Sequence, residues 1–173
     1  MRVVLAHGAS GTAASMRPHV EGLRARGIEA TAIDLPERKA ETALDAYRAA
    51  AGLAGPAARP AVIGGHSYGG RVASLVAADG TPTVSALVLL CYPLHRPGAP
   101  EWEPRSAHWT RIGVPVLLCS GESDPFARID LLRRAVGERL PSAELVTWPR
   151  LGHTLAPVLD EVLDRVAAFA GDR

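Results

Sequence analysis

Three side chains of the kinds used in nucleophilic catalysis occur in this chain in the order serine, aspartate and histidine, as Ser67, Asp124 and His153. A serine hydroxyl is a weak nucleophile near neutral pH, so a base must take its proton as it attacks. An imidazole can accept and return that proton, and a carboxylate can hold the imidazole in the required tautomer. These residue types predict an acyl-transfer site in which Ser67 is the nucleophile, His153 is the base and Asp124 orients the base.

The residues around Ser67 predict a strand, a sharp turn and a helix. Residues 61–63 form an apolar, strand-like run, and the apolar residues after Arg71 recur at helical spacing. Between them, residues 65–69 read G-H-S-Y-G, and the glycines suit a turn in which two backbones approach closely. This pattern is typical of a nucleophile elbow, which exposes the serine hydroxyl and points the backbone N–H of Tyr68 at charge forming beside it. A glycine turn without any chemistry produces the same five residues, so the context must decide.

The other two candidates also have purely structural interpretations. Asp124 precedes Pro125 and can cap a helix that begins near Phe126, because aspartate is favoured at a helix N-terminus. Glu122 lies two residues earlier and is a rival acid. His153 can be a polar loop residue. The catalytic interpretation therefore depends on whether the fold brings the three loops together.

Strand-like runs and helical patterns alternate along the whole chain. We expect strands at residues 2–6, 28–35, 61–65, 85–91, 114–120 and 143–148, and helices at residues 12–26, 37–53, 68–78, 105–112, 126–140 and 155–170. Strands that are apolar on both faces and separated by helices indicate a parallel sheet covered on both sides. Ligands bind such sheets beyond the carboxyl ends of the strands. Ser67, Asp124 and His153 each follow a different predicted strand, so they are expected at that one edge.

Composition limits the class of protein. The 173 residues suit a single domain over residues 1–173, and 47% hydrophobic with 21% charged residues is ordinary for a soluble globular chain. A net charge of +1 gives no reason to expect nucleic acid or an anionic membrane as a partner. Neither a signal peptide nor a membrane-length apolar run is recognisable. Cys91 and Cys119 are expected to be buried free thiols, which favours a cytoplasmic location, and no metal or cofactor site is expected.

Four segments together resemble the α/β-hydrolase superfamily. They are residues 7–9 (H-G-A), 64–74 (G-G-H-S-Y-G-G-R-V-A-S), 91–98 (C-Y-P-L-H-R-P-G) and 121–126 (G-E-S-D-P-F). The combination is similar to small bacterial dienelactone-hydrolase-like proteins, whose animal relatives include a scaffold subunit of a histone acetyltransferase complex. The resemblance implies a site made of Ser67, Asp124 and His153. Dienelactone hydrolases use a cysteine nucleophile, so their lactone specificity does not carry over to a chain with serine at this position.

The resemblance also implies a minimal α/β-hydrolase fold. We expect a six-stranded, mostly parallel sheet in the order 2-1-3-4-5-6, with helices on both faces and no lid domain. An oxyanion hole is expected from the backbone N–H groups of Ala9 and Tyr68. The predicted substrate pocket is lined, besides Tyr68, by Ser10, Met16, Tyr92, His95, Trp102, Trp109 and Phe126.

Some of these side chains have a second interpretation. Trp102 and Trp109 can form an aromatic wall of the pocket, but anchoring of the proline-rich loop before them is the favoured role. Arg71 lies in the first turn of the predicted helix after Ser67, where the helix dipole disfavours a cation. It therefore needs a partner, either a carboxylate of this chain, which is favoured, or an anionic group of a substrate.

Three functions are compatible with these residues. The first is a serine hydrolase that cleaves an ester or thioester of a small soluble substrate through an acyl-serine intermediate, without a cofactor, as a monomer or homodimer. The second is a catalytically silent interaction module. The third is another chemistry on the same serine, such as acyl transfer or cofactor-free haloperoxidase activity. Covalent labelling of Ser67 by a fluorophosphonate separates the second from the other two.

Overall fold

A six-stranded parallel sheet lies at the centre of the chain. The computed structural model describes residues 1–37 and 39–171. The strands are β1 (Arg2–Ala6), β2 (Glu29–Ile33), β3 (Ala61–His66), β4 (Val84–Leu90), β5 (Val116–Gly121) and β6 (Glu144–Trp148). They lie in the order β2-β1-β3-β4-β5-β6, and every neighbouring pair is parallel. The predicted topology is confirmed.

Helices cover both faces of this sheet, as predicted. They are α1 (Arg17–Ala25), α2 (Leu44–Ala50), α3 (Tyr68–Ala78), α4 (Glu103–Ser106), α5 (Ile129–Arg139) and α6 (Leu159–Gly171). Successive strand residues point to opposite faces. Accordingly, Ile63 belongs to a buried cluster with α2, α3 and α5, whereas Val62 belongs to a second cluster with α1 and α6. Among the described residues, no helix is long and apolar enough to cross a membrane.

Several helices are shorter than their apolar patterns predict. The patterns at residues 12–26, 37–53 and 155–170 each contain a short 3-10 turn before the α-helix, at Ala13–Met16, Ala40–Thr42 and Ala156–Val158. Part of the second pattern falls on Arg38, which lies outside the described residues. The predicted helix at residues 105–112 is α4 followed by a 3-10 turn, Ala107–Arg111. Side-chain periodicity does not separate a 3-10 turn from the first turn of an α-helix, because both place residues three apart on one face.

The hydroxyl of Tyr47 ties α2 to the central strands. It lies 2.8 Å from Gly64 O and 3.2 Å from Val4 O, and it accepts a hydrogen bond from Gly64 N at 3.0 Å. The side chain is fully buried. We expect Tyr47→Phe to lower the free energy of unfolding by about 1–3 kcal/mol, because it removes hydrogen bonds from buried backbone groups without opening a large cavity.

Urea denaturation of the wild type and Tyr47→Phe measures this loss. Tyr68→Phe is the comparison, since its part-buried hydroxyl donates to Pro36 O near the surface. We expect Tyr68→Phe to lower the free energy of unfolding by less than about 1 kcal/mol. Equal losses in the two variants would contradict the anchoring role of Tyr47.

Candidate active site

Ser67 occupies a strained turn between β3 and α3. Its φ is 49° and its ψ is −112°, a backbone conformation that residues other than glycine rarely adopt. The backbone of β1 packs directly against this turn: a Cβ atom added at Gly65 or Gly69 would lie 2.4 Å or 2.5 Å from Ala6 O. Glycine is therefore required at both positions for steric reasons. The turn has the geometry of a nucleophile elbow, with the strain concentrated at the serine.

Ser67, His153 and Asp124 form a continuous hydrogen-bonded chain. Ser67 Oγ lies 2.8 Å from His153 Nε2, and His153 Nδ1 lies 2.8 Å and 3.0 Å from the two carboxylate oxygens of Asp124. A carboxylate only accepts hydrogen bonds, so Nδ1 carries the proton and Nε2 is the acceptor for the serine O–H. The Asp124 side chain has no exposed surface, whereas His153 is 21% exposed. The arrangement can take a proton from Ser67 and stabilise the resulting imidazolium.

The loops after β5 and β6 meet because β5 ends in a residue without a side chain. A Cβ atom at Gly121 would lie 2.2 Å from Leu151 O, and Ser123 N donates to Leu151 O at 2.8 Å. These contacts hold the Asp124 turn against the loop that carries His153. The approach depends on glycine at the strand end.

The Asp124 carboxylate contacts both the segment that follows it and His153, but it does not cap a helix. Its Oδ1 accepts a hydrogen bond from Phe126 N at 2.8 Å, and its carbonyl accepts one from Ala127 N at 3.1 Å. These bonds form a turn, and the helix begins later than predicted, at Ile129, because Arg128, with φ −52° and ψ 125°, is not helical. The same carboxylate also contacts His153. Capping of a turn and orientation of the imidazole are therefore compatible.

The rival acid, Glu122, is directed elsewhere. Its Oε1 accepts hydrogen bonds from Arg133 Nη2 at 2.9 Å and from Thr147 Oγ1 at 2.8 Å. Asp124 is therefore the carboxylate that contacts His153.

Two rings flank the imidazole of His153. The Phe126 ring lies 4.4 Å away, centroid to centroid, and the His66 ring lies 5.2 Å away. His66 Nε2 donates to His153 O at 3.2 Å. Burial lowers the pKa of His66, and the neighbouring His153 lowers it further, so His66 packs as a neutral ring. His66 and Phe126 thus hold the His153 imidazole in place, and neither ring places a positive charge beside it.

A cavity of about 660 Å³ opens at Ser67. This volume is in the range of small-molecule sites. Its lining includes Ala9 and Tyr68, the predicted oxyanion donors, and Phe126, a predicted pocket residue. The remaining lining residues besides Ser67 come from the segments at 39–41 and 93–105 and from α3. The sequence suggested contact with a substrate only for Arg71, as the less favoured alternative to an internal carboxylate. These residues are Lys39, Ala40, Glu41, Arg71, Pro93, Arg96, Ala99, Glu101, Pro104 and Arg105.

Four residues predicted to line the pocket are instead buried supports of the loop after β4. The Tyr92 hydroxyl donates to Arg105 O, and the Tyr92 ring packs edge-on against Trp109 at 4.9 Å. His95 accepts a hydrogen bond from Arg128 N at 2.9 Å. Trp102 and Trp109 are 3% and 0% exposed, so they anchor the loop and do not form a pocket wall. Anchoring is the role that the sequence favoured for these two tryptophans, although their size and polar edges also suit a pocket wall.

Ser10 and Met16 also lie away from the cavity at Ser67. Ser10 is exposed and does not line the cavity, although its neighbour Ala9 does. Met16 is buried and lines a second cavity of about 270 Å³, together with His19 and His66. The 3-10 turn before α1 directs Met16 into the apolar cluster under that helix. These two predictions are corrected accordingly.

Cys91, Asp124 and His153 place a sulfur, a carboxylate oxygen and a ring nitrogen within 4.8 Å of one another. These are ligand types for zinc, which binds the thiolate form of cysteine. Burial raises the pKa of the Cys91 thiol to about 12, and the neighbouring Asp124 adds to the shift. Both ring nitrogens of His153 already have hydrogen-bonding partners. The donor set fits a proton-transfer chain beside a protonated thiol better than a metal centre.

Known proteins share this architecture. The chain is similar to the monoacylglycerol lipase of Paleococcus ferrophilus, with 15% identity, a TM-score of 0.81 and coverage of 96% of this chain and 94% of the lipase. It is similar to Est1E of Butyrivibrio proteoclasticus, solved with ferulic acid bound, with 16% identity, a TM-score of 0.76 and coverage of 97% and 87%. It is also similar to the thioesterase domain of the curacin biosynthetic pathway, with 14% identity, a TM-score of 0.76 and coverage of 98% and 90%. At such identities the likeness establishes the fold.

A family model described as "Alpha/beta hydrolase domain" matches residues 1–169, which is nearly the whole chain. The sheet order, the helices on both faces and the elbow between β3 and α3 agree with that match. The protein therefore belongs to the alpha/beta hydrolase domain family.

Proposed function

We propose that this protein is a serine hydrolase that cleaves an ester or thioester of a small soluble substrate through an acyl-Ser67 intermediate. The observation that carries the proposal is the chain of hydrogen bonds from Ser67 Oγ to His153 and from His153 to the buried Asp124. Each group has the partner that its role requires. The cavity at Ser67 is large enough for a small molecule and open to solvent.

Acylation begins with attack of Ser67 Oγ on the carbonyl carbon of the substrate. His153 Nε2 takes the serine proton as the new C–O bond forms, and Asp124 stabilises the imidazolium through Nδ1–H. The imidazolium then returns the proton to the departing alkoxide or thiolate. Water repeats the sequence on the acyl-enzyme, with His153 again as base, and releases the acid.

The negative charge on the carbonyl oxygen needs hydrogen-bond donors. Ala9 and Tyr68 both line the cavity beside Ser67, and their backbone N–H groups are the proposed oxyanion donors. Tyr68 is the first residue of α3, and N–H groups at that position point out of the helix N-terminus. His7 supports the loop that carries Ala9, because its Nε2 accepts a hydrogen bond from Leu35 N at 3.0 Å. One such donor stabilises the transition state by about 3–4 kcal/mol.

Labelling with a fluorophosphonate tests the proposal. This reagent phosphonylates a serine only where a base activates it, so we expect one label per chain on the tryptic peptide that ends at Arg71. Ser67 is the only serine in that peptide. Labelling of a different serine would contradict the assignment of the nucleophile. Absence of any label on folded protein would favour the silent interaction module.

Asp124→Asn is expected to lower kcat for a 4-nitrophenyl ester by about 10⁴-fold. An amide at this position can present its NH₂ group to His153 Nδ1, which favours the tautomer that cannot accept the serine proton. Steady-state kinetics on the purified variant measures the loss.

Glu122→Gln is the matched control for Asp124→Asn, because it makes the same type of change two residues away. Its contacts with Arg133 and Thr147 lie outside the catalytic chain, so we expect kcat to change by less than about twofold. A larger loss in Glu122→Gln than in Asp124→Asn would mean that the acid is misassigned.

The finer assignments belong to the same proposal. We place the chain in the small dienelactone-hydrolase-like branch because of its combined motifs at residues 7–9, 64–74, 91–98 and 121–126. One continuous sheet supports a single domain, and the cavity at the serine supports a small molecule as partner. The absence of a cofactor and a monomeric or homodimeric state are part of the same proposal. A cytoplasmic location is supported by two buried free thiols, Cys91 and Cys119.

A further inference from the structure

The cavity at Ser67 concentrates positive charge. Four of its lining residues are cations, Lys39, Arg71, Arg96 and Arg105, and two are carboxylates, Glu41 and Glu101. The lining therefore has two positive charges in excess, whereas the whole chain has a net charge of only +1. The positive field is local to the proposed substrate site.

Most of these cations have no carboxylate partner. Arg71 Nη2 pairs with Glu41, as its place in the first turn of α3 requires. Within the described ranges, Lys39, Arg96 and Arg105 form no ion pair. Elsewhere on the surface some arginines, such as Arg59 and Arg128, are paired, whereas Arg111 and Arg150 form no ion pair within the described ranges, so the cluster of cations around one cavity is the distinguishing feature.

Arg105 is held in position rather than left free in solvent. Its Nη1 donates to Pro93 O at 3.0 Å, and its own carbonyl accepts a hydrogen bond from Tyr92. The residue is half-buried. Burial lowers the pKa of the Arg105 guanidinium, and the charges of Arg71 and Arg96 lower it further. An anion in the cavity would relieve this repulsion and would meet a guanidinium that is already ordered.

We propose that the substrate carries an anionic group, a carboxylate or a phosphate, which Arg96 and Arg105 bind while the ester or thioester carbonyl lies at Ser67. This inference rests on the proposed hydrolase function and adds the class of substrate to it. Arg71 contributes to the positive potential, but its pairing with Glu41 makes it a weaker contact. A solvated, partly neutralised rim is the competing interpretation, and it predicts no preference for charged substrates.

Two matched pairs of substrates test the proposal. Mono-4-nitrophenyl adipate carries a carboxylate at the end of a six-carbon acyl chain, and 4-nitrophenyl hexanoate is its neutral counterpart. Hexanoyl-coenzyme A carries phosphates on the thiol side, and hexanoyl-N-acetylcysteamine is its neutral counterpart. The first pair reports binding of a carboxylate on the acyl side, and the second reports binding of phosphate on the leaving group. At low salt we expect the anionic member of at least one pair to have a kcat/KM about tenfold or more above the neutral one.

The double variant Arg96→Gln/Arg105→Gln is expected to reduce that ratio towards one. Arg59→Gln is the matched control, because Arg59 pairs with Glu29 at the opposite end of the sheet, where β2 begins. We expect Arg59→Gln to leave the ratio unchanged. Circular dichroism and fluorophosphonate labelling check that the double variant is folded and that Ser67 remains reactive.

Each outcome has a separate meaning. Turnover of neutral esters without preference in either pair, or a preference that the double variant keeps, would overturn the anionic-substrate inference and leave the hydrolase proposal standing. If Ser67 is labelled but none of the four substrates is turned over, adipate and coenzyme A are tested as protectants against labelling. Protection that the double variant loses supports the inference, and absence of protection, or protection that the double variant keeps, overturns it. Absence of both labelling and turnover would remove the hydrolase proposal itself.

Discussion

Ser67→Ala will lower kcat for 4-nitrophenyl ester hydrolysis by about a millionfold, which is the loss expected when the nucleophile of a Ser-His-Asp site is removed. In the proposed mechanism Ser67 Oγ forms the bond to the acyl group, so its removal abolishes the acyl-enzyme route. The remaining rate would come from binding and from the backbone oxyanion donors. Stopped assays at high enzyme concentration measure it against the uncatalysed reaction.

Cys91 provides the sharpest control for this experiment, because it is the other potential nucleophile beside His153. It is fully buried, and burial raises the pKa of its thiol to about 12, so little thiolate forms near neutral pH. We expect Cys91→Ala to keep fluorophosphonate labelling at Ser67. Activity in Ser67→Ala that is lost on adding Cys91→Ala would identify the cysteine as nucleophile and contradict the assignment.

The conformation of Ser67 separates a catalytic effect from a structural one. At φ 49° and ψ −112° a side chain is strained, and glycine is not. Ser67→Gly is therefore expected to be as inactive as Ser67→Ala but more stable than it by about 1 kcal/mol in urea denaturation. The strained backbone of Ser67 lowers the stability of the fold, and such strain is consistent with a role of the turn in presenting the hydroxyl.

The sheet and the hydrogen-bonded chain at its edge were predictable from sequence because each depends on local signals. The apolar runs specify strands, and the order Ser67, Asp124, His153 places each residue after a different strand. The approach of the three loops follows from parallel strands that end at one edge. For Asp124 the sequence offered capping of a helix near Phe126 and orientation of His153 as alternatives; the carboxylate hydrogen-bonds to His153 and to Phe126 N in a turn, and the helix begins only at Ile129.

The pocket lining was not predictable in the same way. Tyr92 was expected at the cavity, and Trp102 and Trp109 were expected either there or, as favoured, as anchors of the loop. All three are buried under the loop after β4, and Arg96 and Arg105 line the cavity. That loop is rich in proline and has no hydrophobic periodicity that identifies its buried face. Its course is determined by long-range contacts, such as the hydrogen bond from Arg128 N to His95, which single-sequence patterns do not encode.

Gly65→Ala is expected to destabilise the protein by more than about 4 kcal/mol or to prevent folding, although it adds only one methyl group. The added Cβ would lie 2.4 Å from Ala6 O, 2.8 Å from the Gly69 carbonyl carbon and 3.0 Å from Gly70 N. All three are backbone atoms, so no rotamer change relieves the overlap, and β1 or α3 must move away from the elbow. The yield of soluble protein and urea denaturation measure the effect.

Gly137→Ala is the matched control for Gly65→Ala, because the chemical change is the same and the surroundings are the opposite. Gly137 is exposed in the last turn of α5, and nothing lies within 4 Å of the position of its added Cβ. Alanine has a higher helix propensity than glycine, so we expect this variant to be more stable than the wild type by about 0.5–1 kcal/mol. Opposite signs for the two substitutions would show that close backbone packing at the elbow, and not a general intolerance of glycine replacement, requires Gly65. If the free energy of unfolding of Gly65→Ala lies within about 1 kcal/mol of the wild-type value, the elbow can relax. The tight contact between β1 and α3 would then not be needed to hold Ser67.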